Sequence, residues 1–208
     1  MGKRFARLAA ALIALAAVAG VVLLYRDYVA GKSGAELLWK TIDFFSFFTV
    51  ESNILVAALT GALAIGVDSR VTRPAVAGAA CLYIAVTGVT YFYLLRKIHH
   101  PEGLALLAVN LLHYTVPPAF VVFWLVFVPK GSLGVRGAVA WLVFPIVYAA
   151  YTLIRGPFVG FYPYPFIDVA TLGLAAVLRN IVNFVIGFAV AAALIVAVDR
   201  LIGRMQRA

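Results

Sequence analysis

The side chain with the clearest capacity for chemistry in an apolar segment of this chain is His113, within NLLHYTVPP at residues 110–118. An imidazole titrates near neutral pH, so inside a membrane segment it can take or give a proton in a reaction. A buried histidine can equally be a satisfied core residue, and the residue type alone leaves both interpretations open. A haem held by two histidines would need a second histidine in the membrane, and His113 is the only one in an apolar segment. A zinc site at this single histidine would need carboxylates to complete it. We therefore predict no metal and no cofactor.

The two prolines that follow this histidine must interrupt the hydrogen bonding of a helix. In an α-helix the N–H groups at Pro117 and Pro118 would donate to the carbonyls of His113 and Tyr114, but proline has no N–H. Carbonyls released in this way need protein or water as partners in lipid. The sequence therefore predicts a bend that starts at His113, with polar surroundings beside it, although bends also occur for packing alone. Pro145 is expected to act in the same way on its own helix.

Other polar residues recur at the same predicted depth, in the outer half of the membrane. Residues three and four apart share one face of a helix, so several of them form stripes. Individually, a membrane threonine usually bonds to its own helix and an asparagine often joins two helices. As a group they predict one polar cavity that opens toward the extracytoplasmic side or the outer leaflet. The group comprises Ser46, Thr49, Ser52 and Asn53, then Thr87, Thr90, Tyr91 and Tyr93, then Asn110 and His113, then Tyr148, Tyr151 and Arg155, and finally Asn180 and Asn183.

The composition identifies the elements that must position these residues. The chain has 208 residues, of which 65% are hydrophobic and 12% are charged, too apolar for a soluble domain of this length. A spanning helix needs about 20 mostly apolar residues. Six segments qualify, at 5–25, 43–66, 74–95, 103–128, 136–155 and 176–198. We predict an all-α integral membrane protein, with residues 1–208 forming a single six-transmembrane-helix bundle. The first segment has the basic start of a signal peptide, but its apolar run is too long for one.

The charged residues indicate orientation rather than a soluble partner. Lys and Arg are more numerous at the ends predicted to face the cytoplasm, which places both termini inside. The formal net charge of +9 is then explained by orientation and by contact with anionic lipids, and not by nucleic acid. The single cysteine, Cys81, excludes a disulfide or a thiolate metal cluster within one chain.

The last outer loop, RGPFVGFYPYPFIDV at residues 155–169, combines three prolines with five aromatic residues. Prolines stiffen a loop, and aromatic rings suit the headgroup level of a membrane. The loop can be an interfacial anchor. It can also be a lid over the polar cavity, with Tyr164 or Asp168 reaching into it.

Three stretches resemble one family of membrane enzymes: FFTVESN at 47–53, HYTVPP at 113–118 and GFYPYPFID at 160–168. They are similar to the androgen-induced and androgen-dependent transmembrane hydrolases, and to a group of predicted bacterial six-span proteins of unassigned function. The enzymes have six helices, cleave fatty-acid esters of hydroxy fatty acids, and are described as threonine hydrolases with a Thr–His pair. Thr49 and His113 occupy the places of that pair. The chain departs from the pattern at Pro117 and in its shorter loops.

The resemblance implies a hydrolase or acyltransferase of lipid esters in a bacterial plasma membrane, with Thr49 as the nucleophile and His113 as the base. A threonine hydroxyl is a weak nucleophile that needs such a base. Acyl transfer also needs hydrogen-bond donors for the oxyanion. Candidate donors and supporting residues are Asn53, Asn110, Arg155, Tyr164, Asp168, Asn180 and Asn183. The alternative is a non-enzymatic lipid-binding protein or small-molecule transporter that uses the same cavity as a binding site.

Overall fold

A computed structural model describes residues 2–207, and the regular elements in this range are all helical. The predicted all-α class is confirmed. Six helical segments are long and apolar enough to cross a membrane. This length and composition make the chain an integral membrane protein. The spanning segments are Gly2–Tyr28, Phe48–Ile65, Pro74–Leu95, Gly103–Phe127, Val135–Val159 and Leu174–Met205.

The chain folds as two compact units, Met1–Ser132 and Leu133–Ala208. The first unit contains six α-helices: α1 (Gly2–Tyr28), α2 (Gly34–Phe45), α3 (Phe48–Ile65), α4 (Pro74–Thr90), α5 (Gly103–Asn110) and α6 (Val116–Phe127). Two π-helical turns complete it. Tyr91–Leu95 continues α4, and Leu111–Thr115 joins α5 to α6.

Small residues allow α1 to pack closely inside the first unit. Its buried residues, Ala10, Ile13, Ala17 and Gly20, recur every three or four positions and therefore form one face, and α1 contacts α3 and α5. A Cβ atom added at Gly20 would lie 2.7 Å from Cδ2 of Leu112. The absence of a side chain at this position lets α1 pass directly against the π turn that follows α5.

The second predicted span differs from the structure at its start. The sequence predicted one continuous helix from Asp43, whereas α2 ends at Phe45 and α3 begins at Phe48. The Ser46 hydroxyl donates to the carbonyl of Ile42 at 2.7 Å, a local bond that competes with continuation of the helix. Phe47 is extended, with φ −80° and ψ 125°, and turns the chain into α3. Thr49 consequently lies in the first turn of α3 and not six residues into a span.

The second unit contains α7 (Val135–Trp141), α8 (Val143–Val159), a 3₁₀ turn (Pro165–Ile167), α9 (Val169–Leu172) and α10 (Leu174–Met205). The break between α7 and α8 falls at Leu142, in the turn before Pro145. Proline has no N–H, so this turn lacks one helical hydrogen bond. The segment before α7 is fastened to α10, because the Leu133 N–H donates to Oδ2 of buried Asp199 at 2.9 Å.

Candidate active site

Thr49 and His113, which are 64 positions apart in the chain, meet in the interior of the first unit. Thr49 Oγ1 and His113 Nε2 are 3.3 Å apart, and the two residues are only 7% and 8% exposed. The first turn of α3 carries the threonine, and the π turn between α5 and α6 carries the histidine. The distance corresponds to a hydrogen bond of the length found between a nucleophile and its base in unliganded enzymes.

The second ring nitrogen of His113 determines which way this hydrogen bond points. Nδ1 lies 3.1 Å from the carbonyl oxygen of Val109, one turn earlier in the same segment. A carbonyl oxygen can only accept, so Nδ1 carries the proton in the neutral ring. Nε2 therefore presents a lone pair, and the Thr49 hydroxyl donates to it. The arrangement contains a hydroxyl, a base for its proton and a group that orients the base.

The π turn at Leu111–Thr115 explains how the histidine reaches this position. The N–H of Val116 donates to the carbonyl of Leu111, five residues back, and the next residue, Pro117, has no N–H. The Leu112 carbonyl therefore lacks a partner within its own helix. The sequence predicted free carbonyls at His113 and Tyr114, and the π register adds Leu112. Single π turns of this kind occur frequently at functional sites.

Asn53 uses the released carbonyl to join the two halves of the site. Its Nδ2 donates to the carbonyl of Thr49 at 2.8 Å and to that of Leu112 at 3.3 Å, and the residue is 0% exposed. Two carbonyl acceptors at one end of the amide establish that this end is the nitrogen. Both N–H groups of Asn53 are thus directed at backbone carbonyls. This geometry suits a positioning residue for Thr49 and His113 better than a donor to a reacting oxyanion.

A second set of hydroxyl contacts ties α4 to the turn of α3 that carries Thr49. Ser52 Oγ lies 3.0 Å from Thr87 Oγ1 and 3.1 Å from the Thr49 carbonyl, while Thr87 donates to the Tyr83 carbonyl at 3.0 Å. Two hydroxyl protons serve three contacts, so the protons must be shared. Three spanning segments therefore converge on the backbone around Thr49.

Tyr91 is the residue of this site that sequence reasoning placed nearby but gave no role. Its ring stacks on the imidazole of His113, with centroids 4.0 Å apart and ring planes at 25°. Tyr91 is 4% exposed and begins the π turn that continues α4, in which the Arg96 N–H donates to its carbonyl at 2.9 Å. A π turn shifts the register of a helix, so helical spacing in the sequence cannot reveal which aromatic ring covers the histidine.

Gly88 permits the close approach that this stacking needs. A Cβ atom at residue 88 would lie 2.9 Å from Cβ of Pro117 and 3.4 Å from the carbonyl oxygen of His113. Contacts this short between a side chain and a rigid proline would push α4 away from the π turn. The glycine therefore keeps α4, and Tyr91 at its end, against the turn that holds His113.

Replacing Tyr91 tests whether the stacked ring holds the imidazole in place. We expect Tyr91→Leu to lower the rate of any reaction at Thr49 by about 10-fold to 100-fold, because small displacements of a base have effects of this size. Tyr91→Phe retains the ring and should keep the rate within about twofold of the parent by the same reasoning. The rate of labelling by an acylating probe measures both, alongside the melting temperature. Equal rates for the Leu and Phe variants would contradict a positioning role.

The loop after the π turn at Tyr91–Leu95 brings a further histidine against the ring of Tyr91. The ring of His99 meets that of Tyr91 edge-on, with centroids 6.1 Å apart. Partial burial is the larger cause that lowers the pKa of His99 below its ordinary value, and the neighbouring His100 lowers it further. This lower pKa favours the neutral form of His99 beside the tyrosine.

Asn110 occupies a different position from the residues around the pair. It ends α5 and is exposed, whereas His113, Asn53 and Thr87 are buried. The predicted stripe of Asn110 and His113 assumed an uninterrupted α-helix, and the π turn begins immediately after Asn110.

In the second unit, Asp168 and Asn180 hold the segment that precedes α10. The Asp168 carboxylate begins α9 by accepting from the N–H groups of Ala170 and Thr171, at 2.9 Å and 3.2 Å. Asn180 Nδ2 donates to the carbonyl of Phe166 at 2.9 Å. Both side chains thus have local structural roles in this unit.

The remaining predicted residues also lie in the second unit. The ring of Tyr164 stacks on that of Phe166, with centroids 5.2 Å apart, and the Arg155 guanidinium lies 5.8 Å from the centre of the Phe161 ring. Asn183 is exposed on α10. Within this loop Tyr164 therefore packs on Phe166, whereas Phe158 is 85% exposed.

Within residues 2–207 no group of three His, Cys, Asp or Glu side chains could hold a metal ion. Comparisons of the chain with protein-family models, with curated proteins and with solved structures found no match. The function must therefore be inferred from the site itself.

Proposed function

We propose that this protein is an intramembrane hydrolase of lipid esters, in which Thr49 is the nucleophile and His113 is the general base. One observation carries the proposal: the buried 3.3 Å contact of Thr49 Oγ1 with His113 Nε2, whose opposite nitrogen is bound to the Val109 carbonyl. A hydroxyl in this arrangement can lose its proton to the imidazole as it attacks a carbonyl carbon. The resemblance in the FFTVESN and HYTVPP stretches supports the same pair.

The chemistry follows from this geometry. Thr49 Oγ1 attacks the ester carbonyl carbon while its proton moves to His113 Nε2, and the imidazolium then gives that proton to the departing alcohol oxygen. The acyl group remains on Thr49 as an ester. Water then attacks this ester, with His113 again taking and returning the proton, and releases a carboxylic acid. An alcohol in place of water would make the same site an acyltransferase.

The location of Thr49 also favours the negative charge that develops on the carbonyl oxygen. Thr49 lies in the first turn of an 18-residue helix, α3. The amino end of a helix carries a partial positive charge that stabilises nearby anions. Fixed dipoles of this kind act most strongly in a buried site, where little water screens them.

A lipid is the substrate class that fits these surroundings. The pair is buried among spanning helices whose core residues are mostly apolar, including Val56, Val109 and Phe120. Such walls favour an acyl chain over a polar substrate. The basic residues at each end favour cytoplasmic termini, and the resemblance to the bacterial six-span group favours a bacterial plasma membrane.

A fluorophosphonate probe tests this function, because it forms a covalent bond with a hydroxyl that a neighbouring base activates. The purified full chain should be labelled, and mass spectrometry should locate the adduct on Thr49. An adduct at another residue would contradict the proposed nucleophile. Absence of labelling, together with intact lipid that co-purifies and is not turned over across a panel of esters, would favour the lipid-binding alternative.

A further inference from the structure

The short helix α2, most of which precedes the predicted second span and was not predicted from the sequence, has three distinct faces. Successive residues of a helix are rotated by about 100°. One face consists of large apolar side chains that are between 36% and 59% exposed, namely Leu38, Trp39, Ile42 and Phe45. Exposed apolar side chains grouped in this way mark a surface that contacts something other than water.

The second face of α2 fixes the helix to the end of α1. The Thr41 hydroxyl lies 3.0 Å from the hydroxyl of Tyr25. The buried ring of Phe44 meets Tyr25 edge-on, with centroids 5.1 Å apart, and tilts against Tyr28 at 5.8 Å. These contacts give α2 a defined rotation about its own axis, so the direction of its apolar face is fixed by the fold.

The third face of α2 is charged. It carries Glu36 and Lys40, with Asp43, which is only 7% exposed, at its buried edge. Ion pairs join Lys32 to Glu36 at 2.7 Å and Lys40 to Asp43 at 3.8 Å. At about 100° per residue, this face is centred on roughly the opposite side of the helix from the exposed apolar face. A helix with charged and apolar sides of this kind is typical of a membrane surface.

We propose that α2 lies in the interface of the membrane, with Leu38, Trp39, Ile42 and Phe45 in the lipid acyl chains and the charged face toward the headgroups. The helix has 12 residues, too few to span a bilayer. Short connections tie it to the spanning helices α1 and α3, which holds it at the membrane surface. Lipid is therefore the apolar material within reach of its exposed face, and tryptophan favours this depth.

The interfacial position of α2 has a consequence for the Thr49–His113 site, and this consequence rests on the proposed function. Only Ser46 and Phe47 separate α2 from the start of α3, so Thr49 lies just beneath an interfacial helix. The apolar side of such a helix enters the boundary between headgroups and acyl chains. That boundary is where glycerolipids and related lipids carry their ester carbonyls. A membrane lipid could therefore present its ester to Thr49 without leaving the bilayer.

Fluorescence quenching by brominated lipids tests the placement of α2. In the full chain with Trp124→Phe and Trp141→Phe, Trp39 is the remaining tryptophan. We expect phosphatidylcholine vesicles brominated close to the headgroup to quench Trp39 at least about twofold more than vesicles brominated near the chain ends. A water-like spectrum without quenching, or stronger quenching by the deep bromines, would overturn the proposal.

A matched variant places the reporter on the charged face of the same helix. Trp39→Phe with Glu36→Trp, in the same background, should be quenched less than half as strongly, and equal quenching of the two would contradict the orientation. If the tryptophan replacements prevent folding, a fluorophore on Trp39→Cys in a Cys81→Ala chain, quenched by spin-labelled lipids, gives the same comparison. No turnover is measured, so failure here is distinguishable from failure of the proposed function.

Discussion

Thr49→Ala is expected to lower ester turnover by about 10⁴-fold or more and to abolish labelling by the fluorophosphonate probe. The alanine removes the one oxygen that lies 3.3 Å from the His113 Nε2 atom, and with it the atom that would carry the acyl group. Turnover of a lipid ester in detergent or vesicles and gel detection of the probe measure the two effects.

Thr49→Ser is the matched control, because serine keeps the hydroxyl and loses only a methyl group. We expect this variant to be labelled on residue 49 and to retain turnover. Persistent labelling of the alanine variant would remove Thr49 as the nucleophile. A melting temperature close to that of the parent chain would show that lost activity is not lost folding.

His113→Gln is expected to lower the rate of acylation by about 10² to 10⁴-fold, the usual contribution of a general base. Glutamine is close to histidine in size, so it fills much of the space under the Tyr91 ring. It cannot take the proton of the Thr49 hydroxyl as an imidazole does. The rate constant of probe labelling at saturating probe isolates this step from binding.

The contrary result for His113 would also be informative. A loss of no more than about twofold is far below the contribution of a general base. It would make His113 a packing residue that stacks on Tyr91. Tyr91→Leu then distinguishes a base from a packing residue at position 113. If His113 is not the base, loss of the ring that holds it in place should not slow labelling either.

The predicted spans agree closely with the six observed helices because the membrane imposes a strong local rule. A chain in lipid must bond its own backbone groups, and this makes long apolar runs helical whatever surrounds them. The last helix continues to Met205, beyond the predicted end of its span at residue 198, and the start of α3 also differs. Its position depends on the bond of the Ser46 hydroxyl to the Ile42 carbonyl, which hydropathy does not register.

The candidate site was partly visible in the sequence. The spacing of Thr49, Ser52 and Asn53, and the position of His113 before two prolines, marked polar groups that cost free energy in lipid. The resemblance then connected Thr49 with His113. No pattern indicated that Asn53 would bridge the backbone on both sides of the pair or that Tyr91 would cover the imidazole, since both contacts depend on π turns.

The amino acids alone predict that this chain is helical, that it belongs in a membrane, and which polar side chains it carries there. Those properties follow from composition and from rules that act over a few residues. The 3.3 Å distance between Thr49 Oγ1 and His113 Nε2, and the choice of the nitrogen that faces the hydroxyl, depend on the folded structure. The reason is physical: the contact joins segments 64 positions apart, and its geometry depends on a π register and on close packing at Gly20 and Gly88.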